Sequence, residues 1–207
     1  MGAAAWRRWR PTLPDVGEEE LVERLRKKDE DAFAALVERY HMPMFRLALT
    51  FVASRSVAEE VVQDTWLGVI GGIDQFEERS SLKTWMYRIL VNRARTTGAR
   101  ERRTVAVDDI ADTERFSPDG SWSRPPREWT DDVVDRIFAT AVAKRLRIAI
   151  GELPPAQCQV VTLRDVERLS PREVCDVLGI SEANQRVLLH RARSQLRRTV
   201  ELEIEGG

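Results

Sequence analysis

A chain of 207 residues, 43% of them apolar and 32% charged, can bury one medium core or two small ones and is too apolar for wholesale disorder. Its 33 basic and 34 acidic side chains nearly cancel, and its two cysteines and two histidines leave no pair at metal-ligand spacing, so neither a metal site nor a cofactor is expected. No apolar run approaches the roughly 20 residues of a bilayer span, and the start MGAAAWRRWRPTLP lacks the apolar core of a signal peptide.

The default is therefore a soluble, cytoplasmic protein with reduced cysteines that serve packing. Near-neutrality hides blocks of charge. Residues 15–31 hold eight acids and four bases; 79–103 hold eight bases and one acid; 108–135 hold nine acids and three bases; 186–198 hold five arginines and no acid. Local patches set the field that a phosphate backbone meets, so two basic blocks around an acidic one keep nucleic acid open as a partner.

Residues 1–15, with their Trp/Arg patch, read as a disordered tail. Residues 16–103 read as helices. Phe33, Leu36, Val37, Tyr40, Met44, Leu47 and Phe51 recur at three-and-four spacing, as do Val57, Val61, Val62, Thr65, Trp66, Val69, Ile70 and Ile73. Gly71-Gly72 and the run from Glu77 to Ser81 mark a break. A third series follows: Leu82, Trp85, Met86, Ile89 and Leu90.

Residues 104–131 carry FSPDGSWSRPPREW and read as a flexible acidic linker. Helical periodicity returns at Val133, Ile137, Ala141, Leu146 and Ile150, inside a second helical domain over 132–207. Leu153-Pro154-Pro155 ends one helix and starts the next. Ser170-Pro171-Arg172-Glu173 has the form of a capping box with proline at the first helical position, and Gly179 ends that helix. Ser181 caps the last one. A short helix, a Gly-containing turn and a longer basic helix make a helix-turn-helix.

At about 100° per residue, Gln185, Leu188, Leu189, Ala192 and Leu196 form one arc of that last helix, which must pack inward. Gln185 stands near its centre, a polar residue that the pattern does not explain, with a neighbouring backbone group as one partner open to its amide. The opposite arc holds Ala183, Arg186, Val187, His190, Arg191, Arg193, Ser194 and Arg197. Small residues at the front let a helix enter a groove, arginines pair with guanine edges or phosphates, and the Val187 methyls suit a thymine methyl.

Two segments, AEEVVQDTWLGVIGGIDQFEERSSLKTWMYRILVNRAR and LPPAQCQVVTLRDVERLSPREVCDVLGISEANQRVLLHRARSQLRR, resemble region two and region four of the extracytoplasmic-function group of bacterial sigma-70 factors. The resemblance implies an all-α fold: a region-two helical bundle and a region-four helix-turn-helix joined by the linker. It implies a non-enzymatic subunit that binds core RNA polymerase and directs promoter-specific initiation, in a stress or envelope response. Gln63, Asp64 and Trp66 would meet the clamp helices of the largest polymerase subunit, with Trp66 core, interface or both; the polymerase flap would be a further contact.

The resemblance places minus-10 recognition on Gln75, Phe76, Arg79, Ser80, Ser81, Lys83, Thr84, Trp85, Arg88, Asn92 and Arg95, where a polar loop can receive an unstacked base. Trp85 and Tyr87 are each open to core packing or to base stacking. Minus-35 recognition falls on Ser181, Glu182, Ala183, Asn184, Arg186, Val187, His190, Arg191 and Arg193; the run from Asn184 to Leu188 departs from the family's usual sequence. Promoter DNA and core polymerase are the implied partners, with an anti-sigma factor, commonly membrane-anchored, as a further candidate. The linker reads equally as a polyanion mimic or as a tethered loop. A stand-alone helix-turn-helix repressor is the alternative reading.

Overall fold

A computed structural model describes the backbone over residues 17–108 and 141–205, with side chains over 17–102 and 146–198. The tail over 1–15 and the linker over 109–131, with Trp122 and Trp129, lie outside the described residues, as do Val133 and Ile137. Among the described residues every element is helical. They divide into two compact units between Glu101 and Arg102.

The first unit begins with α1 (Glu18–Arg26), whose first turn is Glu18-Glu19-Glu20 and whose last carries Arg24 and Arg26, each sign favourable at its end of the helix dipole. Asp29 caps α2 (Glu30–Ala48): its carboxylate accepts the Ala32 N–H at 3.1 Å and the Arg24 Nε–H at 2.7 Å. Ser54 caps α3 (Arg55–Gly72) by accepting the Val57 N–H. One 3-10 turn, Ile73–Gln75, follows, and α4 (Leu82–Asp108) begins after a six-residue loop. The helix thus continues five residues into the segment read as linker.

Met44, Leu47, Val61, Val62, Val69, Met86, Leu90 and Val91 build the core of this unit, each at most 2% exposed. Ile70, one of the residues at helical spacing, is 51% exposed. At 100° per residue it falls roughly 100° from the centre of the arc set by Ala58, Val62, Thr65 and Val69, beyond the seam that α2 covers. Gly72 has a steric reason: a Cβ there would meet the Trp85 ring at 3.2 Å.

The second unit comprises α5 (Ala141–Gly151), α6 (Pro155–Val161), a wide turn of helix at Thr162–Val166, α7 (Pro171–Leu178) and α8 (Glu182–Glu205). Pro154 and Pro155 cap and open α6. The capping box of α7 is complete: Glu173 N–H donates to Ser170 Oγ and Ser170 N–H donates to the Glu173 carboxylate at 2.8 Å. Gly179 is left-handed, at φ 57°, so the chain can turn sharply into α8. Ser181 Oγ accepts the Asn184 N–H at 3.2 Å.

α8 packs on α5, α6 and α7. Leu189, Ala192 and Leu196 are buried, with Leu188 half-buried beside them. Cys158 is buried and its thiol is pushed up to about 11 by loss of solvent. Cys175 is half-buried.

Candidate nucleic-acid interface

In the first unit the basic block folds onto one helix. Arg88, Asn92 and Arg95 are exposed at four- and three-residue spacing along α4, so they share a face. The Arg95 guanidinium lies 5.9 Å from the Phe51 ring centre, which supports its stem while its charge meets solvent. Lys83 is half-buried, its ammonium 5.8 Å from the Tyr40 ring centre.

The loop before α4 exposes Gln75 and Arg79, the latter ion-paired with Glu77. Ser80 and Ser81 are half-buried. Trp85 is half-buried too, its ring 5.1 Å from that of Phe76. Tyr87 is fully buried, which decides it for the core.

Three residues read as contacts are interior. Phe76 is 4% exposed, Thr84 1% and Trp66 7%. Phe76 packs under Trp85. Thr84 shares the angular face of Arg88 and Arg95, but it is buried in the first turn of α4, and its hydroxyl pairs with Ser81 Oγ at 2.8 Å. Trp66 meets the Phe33 ring edge-on at 5.7 Å. These side chains shape the surface from beneath.

Gln63 and Asp64 are exposed on α3, with Asp64 3.6 Å from Arg93 of α4. Sequence reading missed the apolar surface beside them: Leu67 is 66% exposed and Ile70 51%. Ile70 borders a groove of ≈ 320 Å³ lined by Leu25, Phe33, Val69 and Ile73. The signal was available, because Gln63, Leu67 and Ile70 recur at helical spacing off the buried arc.

In the second unit the outer arc of α8 is presented as expected. Ser181, Glu182, Ala183, Asn184, Arg186, Val187, His190, Arg191 and Arg193 are all exposed, Val187 at 48%. Arg186 pairs with Glu182 at 3.0 Å one turn back. Arg193 is gripped by Asp165, its Nε and Nη2 donating to the two carboxylate oxygens at 2.9 and 2.6 Å. That bond, with the carboxylate's charge, strengthens the hold of the guanidinium on its proton. Asp165 carried no sequence signal, lying 28 residues from its partner. Gln185 is 2% exposed, and its Nε2 has no hydrogen-bond partner.

No helix among the described residues is long and apolar enough to cross a membrane, and no group of three metal-ligating side chains occurs among them.

Comparison with known proteins meets this geometry. Residues 36–104 match the family model for Sigma-70 region 2, and residues 143–196 that for Sigma-70, region 4. The chain is 31% identical over 182 residues to an ECF RNA polymerase sigma-E factor of Escherichia coli, an alignment covering 85% of this chain and 90% of that one. It is also 31% identical over 176 residues to the ECF RNA polymerase sigma factor SigG of Mycobacterium tuberculosis, across 79% of this chain but 47% of that protein, so it spans about half of SigG. Among solved structures, the sigma factor RpoE of Bartonella quintana, crystallised with the anti-sigma factor NepR, shares the fold at TM-score 0.56 and 20% identity, over 81% of this chain and 97% of the other.

Proposed function

This chain belongs to the extracytoplasmic-function group of the sigma-70 family, and from that premise we propose that it binds core RNA polymerase and directs initiation at promoters carrying a particular minus-10 and minus-35 element. The observation that carries the reading is the pairing, in one chain, of two exposed basic helical faces: α4 at Arg88, Asn92 and Arg95, and α8 from Arg186 to Arg193.

Surface position supports the roles that follow. Residues 16–103 act as region two and 132–207 as region four. Gln63 and Asp64, joined by Leu67 and Ile70, offer a mixed polar and apolar face to the polymerase, backed by Trp66. The loop residues Gln75, Arg79, Ser80 and Ser81, with Lys83, Trp85, Arg88, Asn92 and Arg95, meet the non-template strand of the minus-10 element. A polar loop beside an aromatic ring gives an unstacked base a place to go, which lowers the cost of strand opening. The outer arc of α8 enters the major groove at minus-35, where its arginines contribute phosphate affinity and base readout.

The subunit works by binding, in the compartment that holds the chromosome, and makes no covalent change. An anti-sigma protein is a fitting regulator, since the Bartonella quintana RpoE was crystallised with one. The repressor alternative accounts for the helix-turn-helix alone and leaves the region-two match without a role.

The test is reconstitution. The full chain, added to core polymerase, should yield transcripts from a restricted promoter set. Failure to retain core polymerase in a pull-down would sink the proposal.

A further inference from the structure

We infer that Glu18 and Arg26 of α1 are positioning residues for the loop over 76–81, and that through this loop they set which minus-10 base is accepted. The inference rests on the function proposed above and extends it to a helix that the family's region-two match, starting at residue 36, does not include.

Glu18 reaches 64 residues along the chain to accept the Leu82 N–H at 2.7 Å. Arg26 reaches 50 residues to donate to the Phe76 carbonyl at 2.7 Å, and the same nitrogen lies 3.1 Å from the Glu78 carboxylate. The two residues are eight apart on α1, about 12 Å along its axis. One helix therefore holds both ends of the loop, as a strut alongside it.

The loop needs such support. Glu78 has a φ of 56°, in the left-handed region that side-chain-bearing residues rarely adopt, and Arg26 is the ion-pair partner at that residue. The first turn of α4 leaves backbone N–H groups without helical partners. Ser81 takes the Thr84 N–H at 3.2 Å, and Glu18 takes the Leu82 N–H. Phe76 anchors the other end through its buried ring against Trp85. Between these anchors only Glu77, Arg79 and Ser80 are left to adapt. A loop pinned in advance presents one shape to an unstacked base, whereas an unpinned one presents several and discriminates less.

The acidic first turn of α1 thus has a role that charge counting could not supply. Glu18 acts here as a hydrogen-bond acceptor to a helix terminus, and its charge adds to that through the helix dipole. A glutamine can still accept the same N–H, while an alanine cannot.

The experiment uses holoenzyme made from the full chain and core polymerase. It measures binding of fluorescent single-stranded minus-10 oligonucleotides that differ only at the captured base. Glu18→Ala and Arg26→Ala should each compress the ratio between best and worst base by about fivefold, the worth of one well-placed hydrogen bond. Glu18→Gln should keep most of the wild-type ratio, and binding of a minus-35 duplex should not change in any variant. If an alanine variant loses its helical melting transition, Glu78→Gln, which removes the ion pair with half-buried Arg26, reads the same ratio and should compress it in the same direction. Wild-type ratios in Glu18→Ala and Arg26→Ala would overturn the inference, as would a Glu18→Gln variant no better than Glu18→Ala. A wild-type holoenzyme blind to the base would overturn the functional reading and this inference together.

Discussion

Asp165 holds Arg193 through both oxygens of its carboxylate, at 2.6 and 2.9 Å, on the exposed side of the last helix. The pairing occupies the fork that an arginine uses to read guanine bidentately. Among the arginines of α8 it separates Arg193, whose fork is engaged, from Arg191, which is exposed one turn after Val187.

Arg191→Ala should therefore cost more minus-35 affinity than Arg193→Ala. The expected loss at Arg191 is about 1–3 kcal/mol if it reads a base; if it meets a phosphate, the slope of log affinity against log salt should drop by about 1. Fluorescence anisotropy of the holoenzyme on a minus-35 duplex, over a salt series, distinguishes the two. Asp165→Asn should change the melting temperature little, because exposed ion pairs contribute about 0–1 kcal/mol. Equal losses at Arg191 and Arg193 would contradict this ranking.

The turn between α7 and α8 depends on its caps. Ser170→Ala removes the acceptor for the Glu173 N–H and should destabilise the second unit by about 1 kcal/mol. Gly179→Ala forces a Cβ into a left-handed residue and should cost about 1–2 kcal/mol. Urea denaturation followed by circular dichroism measures both. An unchanged midpoint for Gly179→Ala would mean that the turn can relax to another geometry.

The exposed apolar pair on α3 tests the polymerase contact. Leu67→Asp should weaken core binding about tenfold or more if Leu67 sits inside the interface. Its side chain is 66% exposed, so the melting temperature should stay within about 2 °C of wild type. Core binding by size exclusion, paired with a thermal melt, reads both. A large fall in melting temperature without loss of binding would place Leu67 in the fold instead.

Acid should release the cap of α2. The Asp29 carboxyl is held below its ordinary value, first by the hydrogen bond from Arg24 and then by the Ala32 N–H. A depressed carboxyl stabilises the folded state while ionised. Its contribution is whole above the unfolded value and is lost as pH falls through the lower folded one. Asp29→Asn should flatten the acid limb of a melting-temperature profile between about pH 5 and pH 2 and leave its slope near neutrality unchanged. A mutant profile parallel to wild type through the acid range would remove Asp29 from the account.

Much of the architecture was legible beforehand. The break before α4, the capping box at Ser170 and the turn at Gly179 are all short-range features. They appear as read because helix caps, glycine turns and proline starts act within four residues of chain. The two arcs of α8 were legible for the same reason: a helix with one packed side sorts its residues by angle. Thr84 and Phe76 were expected to meet DNA and are buried: the Thr84 hydroxyl pairs with Ser81, and the Phe76 ring lies against that of Trp85. The exposure of Ile70 was not legible, because periodicity marks an apolar stripe but does not say how wide a strip the neighbouring helix covers.

By itself the sequence determined that both halves become helical, where α7 starts and stops, and which face of α8 is basic. It also carried the two family segments. Those are properties of neighbours in the chain, set by backbone hydrogen bonding and by the 3.6-residue turn. Tertiary structure alone decided the Asp165–Arg193 grip, the hold of Glu18 and Arg26 on the loop before α4, and the exposure of Leu67 and Ile70. Those pairings join residues 28, 64 and 50 positions apart. Such contacts form only when packed helices bring their surfaces together, and no local pattern specifies which distant side chain will lie opposite.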